Sequence, residues 1–467
     1  MNRKLLLPLI LLIMCGNAFG QTERFELGQR LRACEAAWDR QSDAVARRLA
    51  VERLKKSVNL FFSLKLKEAG RELDLARLAL SGIAEPPAER MWAESLYISP
   101  AARLIDAGRE ELSLELRQLY PEGAEVPKKA SLRLTLLSGG RRTGDARGYE
   151  IAGIPQRIAF NLKSLPEGDY TLRAEVMIGG RVLAATEQTI SAARNLAARI
   201  ASLKGQTQMQ DSSSSETVRS LAALLGALAD GQTMETNYPA ARLLREAEEA
   251  AAGKRAYGGA GQFWMTLKIA SGTVPVRLQA PRAASGGSPL PLVIALHGAG
   301  GSENLFFDGY GNGAIAKLCE ERGWLLVAPR GTTGFTPGRA AEIIDSVAGL
   351  YPVDRRRVFL VGHSMGAAQA VASAQSAPQK FAALAALGGG GQIQPDSAIA
   401  DLPFFIGAGS EDFALANARR LESALKTRQV KRIVMREYPD VEHLVVVQVA
   451  LPDVFRFLDE VSEAPKR

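Results

Sequence analysis

Histidine is scarce in this chain: His297, His363 and His443 are the only three in 467 residues. Cysteine is equally scarce, at Cys15, Cys34 and Cys319. No CxxC or Cys/His spacing suggests a metal site. No run of 18 apolar residues follows the N-terminus, so the mature chain is not expected to span a membrane. The balance of 58 Lys and Arg against 50 Asp and Glu gives a net charge of +8, yet the basic residues are interleaved with acidic ones. Without a basic block flanked by aromatics, nucleic-acid binding is not indicated. No G-x-G-x-x-G opens a helix and no glycine-rich loop ends in Lys-Ser/Thr, so neither a dinucleotide nor a nucleotide phosphate is implied. No metal or organic cofactor is expected.

What is present is a globular composition, 46% hydrophobic and 23% charged, on a chain too long for one core. Two to four domains are expected. MNRKLLLPLILLIMCGNAFG carries Arg3 and Lys4, then an apolar stretch from Leu5 to Met14, then small residues at Ala18 and Gly20. It reads as a signal peptide over 1–20, which implies export to the periplasm or beyond. Met14 is too bulky for the lipoprotein acceptor motif that Cys15 would otherwise suggest. Cys34 and Cys319 remain in the mature chain. An oxidising compartment allows a bridge between them, but two buried thiols packed as small hydrophobes are the simpler expectation.

The hydrophobic period divides the rest. Over 21–96, Leu31, Cys34, Trp38, Val51, Leu54 and Val58 recur at helical spacings, which predicts two or three helices. Over 97–193 the period becomes two, as in Leu112, Leu114, Leu116 and in Leu132, Leu134, Leu136, with turn signals between. About seven strands so spaced suggest an immunoglobulin-like β-sandwich, with Leu165–Tyr170 leading into a tyrosine corner. Such a domain reads either as a polymer- or carbohydrate-contacting module or, more plainly, as a spacer. Residues 194–258 read as a helical connector, with a serine capping a helix near Glu216 after a polar loop. From 259 to 467, apolar strand runs alternate with helices, which predicts a mostly parallel sheet covered on both faces.

Gly362-His-Ser-Met-Gly366 lies directly after the strand run Val358–Val361 and before a helical stretch. A serine on so sharp a turn projects its hydroxyl from the strand end, and the residues two before and two after must be small. Ser364 is therefore the candidate nucleophile. A nucleophilic serine needs a base. His363 adjoins it and points elsewhere, His297 ends an early strand, and only His443 follows it, on a loop after the last strand. An acid is expected at a strand end between them, and Asp412 is chosen with Glu411 as the alternative. The oxyanion donors are assigned to the backbone N–H groups of Ala299, in His297-Gly-Ala-Gly-Gly301, and of Met365.

These motifs, with Val353-Asp-Arg-Arg-Arg-Val ahead of the elbow and Gly407-Ala-Gly-Ser-Glu-Asp412 and Val441-Glu-His443 after it, resemble the α/β-hydrolase superfamily. Within it they are similar to the secreted polyhydroxybutyrate depolymerase and feruloyl esterase-like serine esterases. The resemblance covers only the C-terminal part. It implies a serine carboxylesterase acting through an acyl-enzyme on a small or polymeric ester. Ala367 departs from the family by replacing a third glycine. The spacings of 48 residues from Ser364 to Asp412 and 31 from Asp412 to His443 leave little room for a lid. Phe306, Phe307 and Tyr310 either line the resulting open cleft or pack in the core. A serine peptidase of the same fold and a non-catalytic binding or scaffold protein are the competing readings.

Overall fold

The computed structural model describes residues 18–123, 125–162, 165–206, 212–254, 257–331 and 336–463. The leader expected over 1–20 therefore lies almost wholly outside the described residues, as does Cys15. The chain forms two compact units. One holds residues up to Leu31, Lys56–Met209 and Val218–Lys254. The other holds Arg32–Lys55, Gln210–Thr217 and everything from Arg255.

The N-terminal helical pattern yields four helices rather than two or three: α1 (Ala18–Arg40), α2 (Ala44–Phe62), α3 (Leu66–Leu80) and α4 (Ala88–Ser95). Ala84-Glu-Pro-Pro87, whose prolines disfavour a helix, lies between α3 and α4. The further break between α2 and α3 is a left-handed Leu64, φ 60°, which no proline or glycine announced.

Among the described residues of the first unit, nine strands form two sheets. They are β1 (Leu96–Pro100), β2 (Leu104–Asp106), β3 (Glu111–Gln118), β4 (Ala130–Ser138), β5 (Arg141–Arg142), β6 (Arg147–Glu150), β7 (Gln156–Asn161), β8 (Gly168–Ile178) and β9 (Arg181–Ala193). One sheet has the order β1-β3-β7, the other β2-β9-β8-β4-β5, with β6 also on β4. Burial alternates along β3, so Leu112, Leu114 and Leu116 face inward while Glu111 and Ser113 face water. These leucines share one core with Leu132, Leu134, Leu172 and Val176 from the other sheet. The helices that follow are α5 (Leu196–Lys204), α6 (Ser213–Ala229) and α7 (Ala240–Ala251). The capping serine is Ser212, whose hydroxyl accepts from Ser215 N–H, so α6 starts three residues earlier than Glu216. Most of the polar loop before it lies outside the described residues.

The second unit is built on an eight-stranded sheet of order β10-β11-β13-β12-β14-β15-β16-β17. Its strands are β10 (Gly261–Ile269), β11 (Gly272–Ala280), β12 (Leu290–Leu296), β13 (Leu325–Pro329), β14 (Val353–His363), β15 (Ala383–Leu387), β16 (Phe404–Gly409) and β17 (Ile433–Tyr438). From β13 to β17 every pairing is parallel, while β10 and β11 add an antiparallel edge. All seven residues of β12 and all five of β15 are buried, as expected of strands covered on both faces. The long helices are α8 (Tyr310–Arg322), α9 (Arg339–Ala348), α10 (Met365–Ser376), α11 (Leu415–Thr427) and α12 (Val446–Glu463). Among the described residues no helix is long and apolar enough to cross a membrane. Cys34 and Cys319 are both buried thiols and form no disulfide with each other.

Candidate active site

Strand β14 ends at His363 and α10 begins at Met365, so Ser364 makes the turn alone. Its backbone sits at φ 57° and ψ −117°. A non-glycine residue held there costs about 1–3 kcal/mol, and such strain gathers at functional sites. The surroundings hold it: Ser364 N–H donates to Leu387 C=O at 2.9 Å. The flanking glycines are demanded by close approach. A Cβ on Gly362 would fall 2.3 Å from the Gly366 carbonyl oxygen, and one on Gly366 would fall 2.0 Å from that of Leu296. The turn leaves Ser364 half-buried, with its hydroxyl at the C-terminal end of the sheet.

His443 and Asp412 meet. Asp412 follows β16, His443 follows β17, and His443 Nδ1–H donates to Asp412 Oδ1 at 2.9 Å with both side chains buried. Ala414 N–H donates to the same oxygen at 2.8 Å, which fixes the carboxylate. Holding Nδ1 as the donor leaves Nε2 as the basic nitrogen. Glu411, the alternative acid, turns outward and pairs with Lys55 of α2 at 2.8 Å. The His443 ring has its hydrogen bond to Asp412 and none to Ser364 Oγ. His363, the residue before Ser364, has its ring centroid 4.6 Å from that of His443.

The expectation that His363 points away from the nucleophile's outlet agrees with its contacts. It is buried; its Nε2–H donates to His443 C=O at 3.2 Å and its Nδ1 accepts from Tyr310 Oη–H at 2.7 Å. Burial, reinforced by His443, holds its pKa well below the usual histidine value, so it is neutral. His297 is also buried, with Nδ1 2.8 Å from Gly298 C=O. The loop it opens presses on the elbow: a Cβ on Gly298 would come within 3.2 Å of Ser364 Cβ. Ala299 follows in that loop and Met365 is the first residue of α10. Glu442, beside the base, is buried, which pushes its carboxyl up to about 7 against the pull of His443 and the Leu444 amide.

Phe306, Phe307 and Tyr310 are all buried and pack in the core, with Phe307 also at the edge of a cavity beside Gln279, Asn312 and Lys317. The exposed apolar side chains beside the catalytic candidates are Met365 and Phe413, the latter with its ring 4.3 Å from His443. In sequence Met365 stands out only for its backbone N–H and Phe413 not at all, because each side chain is a lone apolar residue in a loop or at a helix start. Among the described residues no group of His, Cys, Asp and Glu is placed to hold a metal.

Residues 293–464 match the alpha/beta hydrolase family. The C-terminal region therefore has the α/β-hydrolase fold, with a mixed, mostly parallel sheet. A stretch of 145 residues, 29% of this chain, is 29% identical to a bifunctional acetylxylan esterase/xylanase of Neocallimastix patriciarum. The match spans about a fifth (21%) of that relative's length. Similar solved structures include the feruloyl esterase module of Clostridium thermocellum, at 17% identity and TM-score 0.38 over 45% of this chain and 94% of the other. An S-formylglutathione hydrolase from Agrobacterium tumefaciens aligns at 18% identity and TM-score 0.35, over 44% and 96% of the two chains.

Proposed function

We propose that this protein is an exported serine hydrolase that cleaves carboxylic esters. The observation that carries the reading is the buried Asp412–His443 hydrogen bond at 2.9 Å, taken together with a serine held at φ 57° on a strand-to-helix turn. Ser364 Oγ attacks the ester carbonyl carbon while His443 Nε2 takes its proton. The oxyanion so formed accepts from the N–H groups of Ala299 and Met365, each such donor being typically worth about 3–4 kcal/mol at the transition state. Collapse expels the alcohol, which receives the proton from His443 and leaves an acyl-serine. Water, deprotonated by the same histidine, then releases the acid. Asp412 keeps the imidazole in the right tautomer and stabilises the imidazolium.

The acetylxylan esterase among the relatives makes carbohydrate esters a natural class to test. The remaining readings belong to the same proposal. The leader over 1–20 exports the chain to the periplasm or beyond. Helical residues 21–96, a sandwich over 97–193 and a connector over 194–258 precede the catalytic domain at 259–467. An immunoglobulin-like reading of the sandwich is supported by Tyr170 Oη–H donating to Pro166 C=O at 2.7 Å, the contact a tyrosine corner makes.

A fluorophosphonate probe tests the core of this reading. Labelling should appear in the parent protein, vanish in Ser364→Ala and persist in Ser376→Ala. An unlabelled parent would favour a scaffold. Hydrolysis of peptides in preference to aryl and hydroxycinnamoyl esters would favour a peptidase.

A further inference from the structure

Tyr310 lies too deep to touch a substrate, at 3% exposure, yet the chain holds it in an uncommon backbone state. Tyr310, Gly311, Asn312 and Gly313 have φ of 47°, 77°, 53° and 68°, four left-handed residues in succession at the start of α8. Two of them carry a Cβ, which crowds the neighbouring carbonyl in this region and makes the conformation rare for a bulky side chain. The turn brings the tyrosine hydroxyl between two loops of the catalytic site. Gly298 N–H, in the oxyanion loop, donates to Tyr310 Oη at 3.5 Å, and Tyr310 Oη–H donates to His363 Nδ1 at 2.7 Å. The other nitrogen of His363 donates to the backbone carbonyl of His443. One hydroxyl and one neutral imidazole thus connect the oxyanion loop, the nucleophile's turn and the base's loop.

The left-handed turn is braced by α1. Glu35 is fully buried and packs against this turn: a Cβ on Gly309 would stand 3.6 Å from its Oε2, and neither carboxyl oxygen has a hydrogen-bond partner among the described residues. Gln448 of α12, five residues after His443, clamps the same stretch of α1: its Nε2 donates to Glu35 C=O at 3.2 Å and to Asp39 Oδ1 at 2.6 Å. Glu35 lies four residues after Leu31 and three before Trp38, on the apolar stripe of α1, where a carboxylate brings no packing advantage.

We propose that Tyr310 is a positioning residue for acyl transfer, and that the N-terminal helix acts through it by packing the Glu35 side chain against the left-handed turn. The proposal rests on the Ser364–His443–Asp412 reading and extends it: a helix some 250 residues before the catalytic motifs belongs to the catalytic machinery. Without the Tyr310 hydroxyl, the Gly298 loop and the His443 loop lose a shared anchor, and displacements on the order of 1 Å at a reacting centre can cost about 100-fold in rate.

The test uses the full chain, with kcat counted per serine titrated by a fluorophosphonate, so that misfolded protein drops out. Tyr310→Phe removes one oxygen and keeps the ring. It should lower kcat on a short aryl ester about 10- to 100-fold while KM stays within about threefold. Glu35→Ala should lower kcat in the same way, and Glu35→Gln should keep it within about twofold. The double variant Tyr310→Phe/Glu35→Ala should be no slower than Tyr310→Phe alone, because residues acting through one contact are not additive. A merely structural tyrosine would lower the melting temperature and the labelled fraction and leave kcat per labelled serine unchanged. That result, or additive losses in the double variant, overturns the proposal. A parent protein that turns over no ester and takes no probe overturns the acyl-transfer reading itself.

Discussion

The two sheet systems of this molecule bury their strands by different rules. In β3 burial alternates, with Leu112, Leu114 and Leu116 inside and Glu111 and Ser113 in water. In β12 every residue from Leu290 to Leu296 is buried. A sheet with one wet face can place chemistry anywhere on that face. A sheet covered on both faces exposes reactive groups only where its strands end. The candidate nucleophile, acid and base of this protein all sit just past strand ends, after β14, β16 and β17.

The largest effect expected from challenging this contrast is at one of those ends. Asp412→Asn keeps the shape and loses the correct tautomer of His443, and should lower kcat by about 10⁴-fold in a steady-state ester assay. The next effect compares neighbours within a strand. In β12, Ile294→Ala should cost about 2–5 kcal/mol in denaturant unfolding, and the adjacent Val293→Ala should also be clearly destabilising. In β3, Leu114→Ala should cost a similar 2–5 kcal/mol while the adjacent Ser113→Ala stays within about 0.5 kcal/mol. If Val293→Ala were as mild as Ser113→Ala, the doubly covered reading of β12 would fail.

The smallest effect depends on pH. Burial pushes the Glu35 carboxyl up to about 8, with the Tyr310 and Gly311 amides and Arg32 opposing it. Its ordinary value is 4.5. A carboxyl raised on folding favours the fold fully below its unfolded value, and that advantage is lost as pH rises through the folded one. Glu35→Gln removes the dependence. The melting temperature of the variant minus that of the parent should therefore increase steadily from pH 5 to pH 9, reflecting up to a few kcal/mol. A difference that stays flat over that range would place the carboxyl in a more hydrated setting.

Local rules made much of the fold legible. The two-residue period of Leu132, Leu134 and Leu136 locates β4, and the glycines around Ser364 locate the elbow, because each pattern is enforced by neighbours within a few residues. Scarcity helped as well: with three histidines, only one follows the serine, and it is the one that meets Asp412. Other features gave no such signal. Phe306, Phe307 and Tyr310 look the same in sequence whether they line a cleft or fill a core. The left-handed Leu64 that parts α2 from α3 breaks no composition rule.

From the sequence by itself come the alternation of strand and helix, the strained serine turn and the order of nucleophile, acid and base, since backbone sterics and hydrophobic period act over short stretches of chain. Only the tertiary structure paired Asp412 with His443 and Glu411 with Lys55, set His363 between Tyr310 and the His443 carbonyl, and brought Glu35 to a turn 275 residues away. Those outcomes depend on which side chains share a buried space, and hydrogen-bond direction and desolvation are set there by residues that no local pattern connects.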